Sequence, residues 1–197
     1  MRNVIVNEFM TLDGVVQAPG GADEDTDGGF EHGGWQMPFF DDISRRRVVD
    51  GMGQAGGFLL GRRTYEIFAA YWPNAPEEEQ VVAAPLNDLP KYVASTTLTE
   101  PLEWQNSMLL NGDVADAVAA LKRESGKDIH VIGSADLVQT LMEHGLVDEY
   151  RLMINPIVVG GGKRLFRDGG GRRLLRLVDS QVTTTGVMMA TYEPARE

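Results

Sequence analysis

Two segments of the sequence put a glycine between an apolar run and a polar stretch: Leu59-Leu60-Gly61-Arg62-Arg63-Thr64-Tyr65-Glu66 and Ile129-His130-Val131-Ile132-Gly133-Ser134-Ala135. Each reads as a strand running through glycine straight into a helix. The unpaired N–H groups at a helix N-terminus, reinforced by aligned peptide dipoles, make a ready site for an anion. In the first segment Gly61 allows close approach, Arg62 offers a planar fork for phosphate, and Thr64 adds a hydroxyl donor. A plainer reading has equal standing there, with Arg62 and Arg63 as solvated surface cations and Gly61 as a simple turn. Set side by side at the carboxyl edge of one sheet, the two junctions could grip a pyrophosphate from two sides. No G-x-G-x-x-G fingerprint and no G-x-x-x-x-G-K-[ST] loop is recognised, so neither a standard Rossmann site nor a phosphate-loop NTPase is expected.

Other segments offer less. Thr11-Leu12-Asp13-Gly14 follows the first apolar run, where a glycine-hinged loop could close over a substrate, although Asp13 could equally cap a turn. Within Asn155–Phe166, Gly160-Gly161-Gly162 precedes Lys163-Arg164. These glycines let backbone approach a ligand or simply permit a sharp loop, and the structural alternative is preferred. Asp23-Glu24-Asp25-Thr26-Asp27-Gly28 matches the first half of an EF-hand calcium loop. The bidentate glutamate position falls on Gly34, however, and no helical pattern leads in, so a solvated acidic loop is expected. His32, His130 and His144 have no ligand-like spacing, and no metal site is expected.

The balance of the composition narrows the function classes. A net charge of −11 without a broad basic patch disfavours nucleic-acid binding, so an anionic ligand needs a local cationic pocket. The clusters Arg45-Arg46-Arg47, Arg62-Arg63 and Arg172-Arg173 therefore say more than their number. The sequence has no cysteine, which removes disulfides, thiolate metal sites and cysteine nucleophiles; redox chemistry then requires a borrowed cofactor. No apolar run approaches the roughly 18 residues of a membrane span, and Met1-Arg2 leads directly into Val4-Ile5-Val6. A cytoplasmic protein with no membrane partner is expected. A length of 197 residues suits one elaborated domain, 1–197.

The elements that must position these residues alternate along the chain. Strand-like runs occur at 4–9, 57–60, 92–94, 107–110, 129–132 and 150–154. The clearest helix is 113–125, with Asp113 as cap and Val114, Ala117, Val118 and Leu121 on one face. A second runs from Ser134, as cap, to His144, stopped by a left-handed Gly145. Segments 38–52 and 62–71 are further helix candidates. Loops are expected at 18–34, 73–90 and 168–171, and 174–183 with 187–193 reads as a hairpin turning at Thr184-Thr185-Gly186. Such alternation predicts a central, mostly parallel, mixed sheet covered by helices.

Taken in order, several of these segments resemble the dihydrofolate-reductase-like reductases, especially the C-terminal reductase domain of the riboflavin-biosynthesis protein RibD. The likeness rests on Thr11-Leu12-Asp13-Gly14, Gly61-Arg62-Arg63-Thr64-Tyr65-Glu66, Val93-Ala94-Ser95-Thr96, Val131-Ile132-Gly133-Ser134-Ala135-Asp136-Leu137, and Leu146-Val147-Asp148-Glu149-Tyr150 leading to Pro156 and Gly160-Gly161-Gly162. It spans nearly the whole chain. It implies a three-layer α/β dihydrofolate-reductase-like fold with a C-terminal antiparallel hairpin.

The resemblance also implies NADPH as cofactor. Arg62, beside Arg63, with Ser95 and Thr96 would receive the adenosine 2′-phosphate. Gly61, Thr64 and the Gly133-Ser134-Ala135-Asp136 helix start would hold the pyrophosphate, with Ile132 near the nicotinamide. Asp13 and Gly14 would belong to the loop over the substrate, together with Gly161. Lys163 and Arg164 would serve a substrate phosphate if the substrate is the ribosylamino-pyrimidinone of riboflavin synthesis. Dihydrofolate reductases carry an acid near the start of the first helix, for which Asp41 and Asp42 are the nearest candidates; Asp42 and, from the loop over the substrate, Asp13 are the catalytic candidates here. Asp41 and Asp42 have a preferred alternative as first-turn acids favouring the helix dipole. Gly133-Ser134 replaces the paired glycines of true dihydrofolate reductases, so dihydrofolate is not the expected substrate, and no zinc-deaminase segment precedes the reductase-like part. Reduction of another small carbonyl or imine, or NADPH binding without catalysis, are the alternatives. A homodimer through the C-terminal hairpin is expected.

Overall fold

Strand β1 (Val4–Thr11) is buried along nearly its whole length, because it lies in the interior of an eight-stranded sheet covered by helices on both faces. The computed structural model describes residues 1–195. After β1 come helix α1 (Asp42–Gln54), strand β2 (Gly57–Gly61), helices α2 (Arg62–Tyr71) and α3 (Gln80–Asp88), strands β3 (Lys91–Ala94) and β4 (Ser107–Leu109), and helix α4 (Val114–Arg123). Strand β5 (Ile129–Ile132), helix α5 (Ala135–Glu143), strand β6 (Glu149–Asn155) and the hairpin β7 (Leu175–Val182) and β8 (Met188–Pro194) complete the fold. The sheet order is β4-β3-β2-β5-β1-β6-β8-β7. The first six in that order are parallel, whereas β8 pairs antiparallel with both β6 and β7.

Alternating side chains divide the core into two layers. On one face Val4, Val6, Ile129 and Val131 meet Val118 and Leu121 of α4 and Val138 and Leu141 of α5. On the other, Phe58, Leu60 and Val93 meet Met52 of α1, Tyr65 and Phe68 of α2 and Leu86 of α3. The expected α/β architecture and hairpin are therefore present. Asp113 caps α4, accepting from Asp116 N–H at 3.1 Å, and Gly145 stops α5 with φ 62°.

Three local expectations differ. The segment 73–90, read as a loop, holds α3 with Pro85 inside it; burial of Ala83 and Leu86 and packing on α1 outweigh the local preference. Helix α1 begins at Asp42 rather than at 38, because Asp41 Oδ1 accepts from Ser44 N–H at 2.9 Å and fixes the start there. Ser134 precedes α5 but does not cap it with its hydroxyl, which is engaged elsewhere.

Lys91 closes α3 onto β3. It is fully buried, and its ammonium donates to the carbonyls of Leu86, Asn87 and Leu89 at 2.7, 2.9 and 3.0 Å while lying 4.5 Å from the centroid of the Trp104 indole. Desolvation pushes its pKa down to about 8. Lys91→Met keeps the stem but strands three carbonyls at the end of α3. We expect a loss of roughly 2–4 kcal/mol in urea denaturation; a variant as stable as the parent would contradict this role.

Candidate active site

Strands β2, β5 and β1 end side by side, and at that edge one hydroxyl joins the two strand-to-helix junctions. Ser134 Oγ accepts from Gly61 N–H at 2.9 Å and donates to Thr64 Oγ1 at 3.0 Å. Ser134 does so from a left-handed backbone (φ 65°, ψ 46°), and Gly133 before it has φ 60°. A Cβ on Gly133 would lie 3.1 Å from Thr64 Oγ1, so the close approach of the two turns requires glycine. No side chain caps α2 or α5, which leaves their first N–H groups for a ligand. An arrangement of converging N–H donors suits a pyrophosphate.

Gly61 pairs in register with Ala94, which puts Arg62 and Ser95 at the ends of neighbouring strands. Arg62 forms an i,i+4 pair with Glu66 at 3.1 Å, while Ser95 Oγ accepts from Thr97 and Leu98 N–H groups, with Thr96 exposed alongside. Two of the expected cofactor residues turn away. Arg63 pairs with Asp25 at 3.1 Å, and Asp136 pairs with Arg167 at the surface.

The expected substrate residues also meet one another. Asp13 accepts from Thr11 Oγ1 at 2.6 Å and from Gly160 and Val159 N–H groups at 2.9 and 3.3 Å, and Arg164 lies 3.9 Å away. Gly14 adopts φ 84° and its carbonyl accepts from Leu165 N–H. Hydrogen bonds, that from Thr11 foremost, hold the Asp13 carboxyl below its ordinary value. The ionised carboxylate fastens the glycine loop to β1 and is a poor proton donor. Asp42 is exposed in the first turn of α1, where its charge favours the helix dipole. Asp41 is held by Thr184, whose hydroxyl and N–H donate at 2.6 and 2.9 Å.

Between α1 and the sheet lies a cavity of about 70 Å³ lined by Asn7, Phe9, Arg47, His130, Ile132 and Arg151, among others. Three of these are polar side chains on central strands under a helix, where an unpaired group costs about 1–3 kcal/mol. His130 is 2 % exposed, and its Nε2 has no partner. Desolvation, helped by the charge of Arg151, pushes its pKa down to about 4, so the imidazole is neutral. Gly51-Met52-Gly53-Gln54-Ala55-Gly56 along the cavity spells G-x-G-x-x-G, but here helix precedes strand, the reverse of a dinucleotide fingerprint.

The acidic loop crosses the same edge. Asp25 pairs with Arg63 of α2 at 3.1 Å and with Lys163 of the glycine loop at 2.8 Å, and Lys163 also meets Asp27 at 2.9 Å. Among the described residues no acid or histidine cluster could hold a metal ion. Asp25 and Asp27 of the half-matched calcium motif are engaged in these ion pairs.

The fold recurs in solved structures. A putative riboflavin biosynthesis protein from Shewanella sp. PV-4 aligns with TM-score 0.70 at 22 % identity, covering 98 % of this chain and 99 % of that one. A pyrimidine reductase-like protein from Corynebacterium diphtheriae aligns with TM-score 0.69 at 13 % identity, covering 100 % and 93 %. In sequence, the uncharacterized protein YyaP of Bacillus subtilis is 31 % identical over 97 % of this chain and 94 % of its own length. YwjB of the same organism is 29 % identical over 60 % of this chain and 63 % of its own. The RibD C-terminal domain family matches residues 2–189. The chain belongs to that family.

Within this RibD C-terminal domain the residues missed by sequence reading are Glu8, Asn7 and His130. Each sits in a strand already recognised, and the signal was a polar residue in a run of apolar ones: Glu8 follows Val4 and Val6 on one face of β1. Glu8 is 5 % exposed, its Oε1 has no partner, and desolvation, only partly offset by the backbone of Gly133, raises its pKa well above 4.5. The folded protein therefore holds this proton where the unfolded chain has lost it. Wild-type stability falls as pH rises from about 4.5 through the folded pKa. Glu8→Gln has no proton to lose. We expect it to be the more stable protein, its advantage growing across that window by up to about 1.4 kcal/mol per pH unit in chemical denaturation; a difference independent of pH would refute the assignment.

Proposed function

We propose that the chain is an NADPH-dependent reductase of the RibD C-terminal type, which transfers hydride to a pyrimidine- or pterin-like heterocycle. The observation that carries this reading is the Ser134 junction, where two uncapped helix starts are locked together at the carboxyl edge of the sheet. The glycine turns and the uncapped N–H groups fit a dinucleotide pyrophosphate, with Thr64, Gly133, Ser134 and Ala135 holding it. Arg62, once released from Glu66, and Ser95 and Thr96 receive the 2′-phosphate. The bound cofactor supplies the hydride, while the protein supplies orientation and electrostatics. Ile132 lines the cavity under α1 and bounds the nicotinamide side. A cavity of about 70 Å³ suits the polar edge of a ring or a few waters. Asn7 and the neutral His130 can hydrogen-bond ring carbonyl and N–H groups there, and α1 excludes solvent. The reference substrate of the class is 5-amino-6-(5-phosphoribosylamino)uracil, whose ribose hydride would open to ribityl.

The copies are further read as a homodimer through β7. This edge strand exposes Leu177, Val178 and Val182, the last at 62 %, and a bare apolar edge calls for a cover. Sedimentation velocity at micromolar concentration is expected to give a dimer that Val182→Glu dissociates; a monomeric parent would refute this.

Calorimetric titration of NADPH and NADH into wild type and Arg62→Ala tests the cofactor assignment. Preferential NADPH binding is expected, weakened about 10- to 100-fold in the variant with NADH unaffected. Failure of either nucleotide to bind would sink the reductase reading.

A further inference from the structure

We propose that Glu8 supplies the proton that accompanies hydride transfer, and that its carboxylate then stands as counter-ion to the oxidised cofactor. The inference rests on the reductase reading and assigns the acid of that reaction to β1.

Glu8 lies toward the carboxyl edge of the sheet, on the strand between β5 and β6. Asn7 pairs in register with Ile132 of β5, so Glu8 comes next, level with Gly133, and on its other side it pairs with Leu152 of β6. Ile132 and Gly133 are the residues read above as the nicotinamide and pyrophosphate contacts. Glu8 also shares with Ile132 the lining of the cavity under α1. The register thus sets an acid beside the segment that would carry the cofactor from pyrophosphate to nicotinamide.

Among the described residues two carboxyls are buried. Asp25 is paired with Arg63 and Lys163, whereas Glu8 is in no ion pair and its Oε1 has no partner. The charged groups of the surrounding elements are engaged elsewhere. Arg47 of α1 donates to Thr191 Oγ1 at 2.6 Å, and Arg151 of β6 pairs with Glu149 at 2.5 Å. Asp136 of α5 pairs with Arg167, and Arg164 of the glycine loop lies 3.9 Å from Asp13. His130 of β5, with its pKa pushed down to about 4 by burial, is neutral. A buried carboxyl with no cation beside it favours its uncharged form. Desolvation accordingly raises the Glu8 pKa well above 4.5, and the backbone of Gly133 offsets only part of that. Glu8 is then the one residue lining the cavity with a proton to give: guanidinium groups do not deprotonate in proteins, and a neutral imidazole is a far weaker acid than a carboxyl.

In the reduction, the acceptor carbon of a C=N or C=O bond gains the hydride and its heteroatom takes the π-electron pair. That atom removes the proton as the Glu8 O–H bond breaks. The acceptor is reduced, the cofactor is oxidised, and the O–H electron pair stays on Glu8 as carboxylate. A neutral acid next to an uncharged reduced nicotinamide becomes an anion next to a cationic oxidised one, so neither state buries a lone charge. An adjacent opposite charge favours the ionised carboxyl about ten- to a thousandfold. Water returns the proton to Glu8 once product and oxidised cofactor have left.

The test is proton release on binding NADP+ and NADPH to the full-length protein, measured by calorimetry in buffers of different ionisation enthalpy from about pH 6 to about pH 9. The difference between the two nucleotides cancels the ionisation of the 2′-phosphate they share. Wild type is expected to release up to about one proton more with NADP+, so that the ratio of NADP+ to NADPH affinity rises up to about tenfold per pH unit. Glu8→Gln keeps the shape of the side chain and is expected to bind both nucleotides with no difference in release and a level ratio. No difference in wild type, or a difference that survives in Glu8→Gln, overturns the proposal and leaves the reductase reading standing. Binding of neither nucleotide defeats that reading and this assignment with it. With 5-amino-6-(5-phosphoribosylamino)uracil, Glu8→Gln is expected to lose about 10²- to 10⁴-fold in kcat with KM little changed; a kcat equal to the parent's also overturns the proposal.

Discussion

The Ser134 hydroxyl is the contact on which the candidate site depends. Strands β2 and β5 are neighbours in a parallel sheet, so the turns that leave them run side by side, and each must release a helix within a residue or two. Ser134 bonds to Gly61 N–H and Thr64 Oγ1 and fixes the spacing of those turns, while Gly61 and Gly133 make the approach possible. Because the hydroxyl faces sideways into β2–α2, it is unavailable to cap α5. The same geometry that joins the junctions therefore leaves the α5 N–H groups free for an anion.

A second constraint is electrostatic and comes from the loop between β1 and α1. Asp25 ties α2, through Arg63, to the glycine loop, through Lys163. Asp13 ties that loop back to the end of β1. Two carboxylates thus tie three separate segments of that edge together.

The interior shows a different economy. Asn7, Glu8, His130 and Arg151, all on central strands, belong to the lining of the cavity under α1. A core selected for stability alone would be apolar at these positions. Polar groups are instead grouped around one cavity, where His130 Nε2 and Glu8 Oε1 have no partner and cost stability.

Periodicity and turn chemistry are local properties. The sequence by itself therefore determined the alternation of strands and helices, the Asp113 cap, the Gly145 stop, the terminal hairpin and both glycine junctions. It also identified the family, since ordered motifs survive where overall identity is low. Partnership across the chain is not local. Only the tertiary structure decided that Ser134 bonds to Gly61 rather than capping α5, and that Asp25 is buried between Arg63 and Lys163 instead of lying in a solvated loop. It also decided that Asp13 holds a loop and that α3 forms around Pro85. In each case the residue had several partners of comparable local merit, and the choice among them was made by burial and proximity, which arise when strands distant in sequence become neighbours in the sheet.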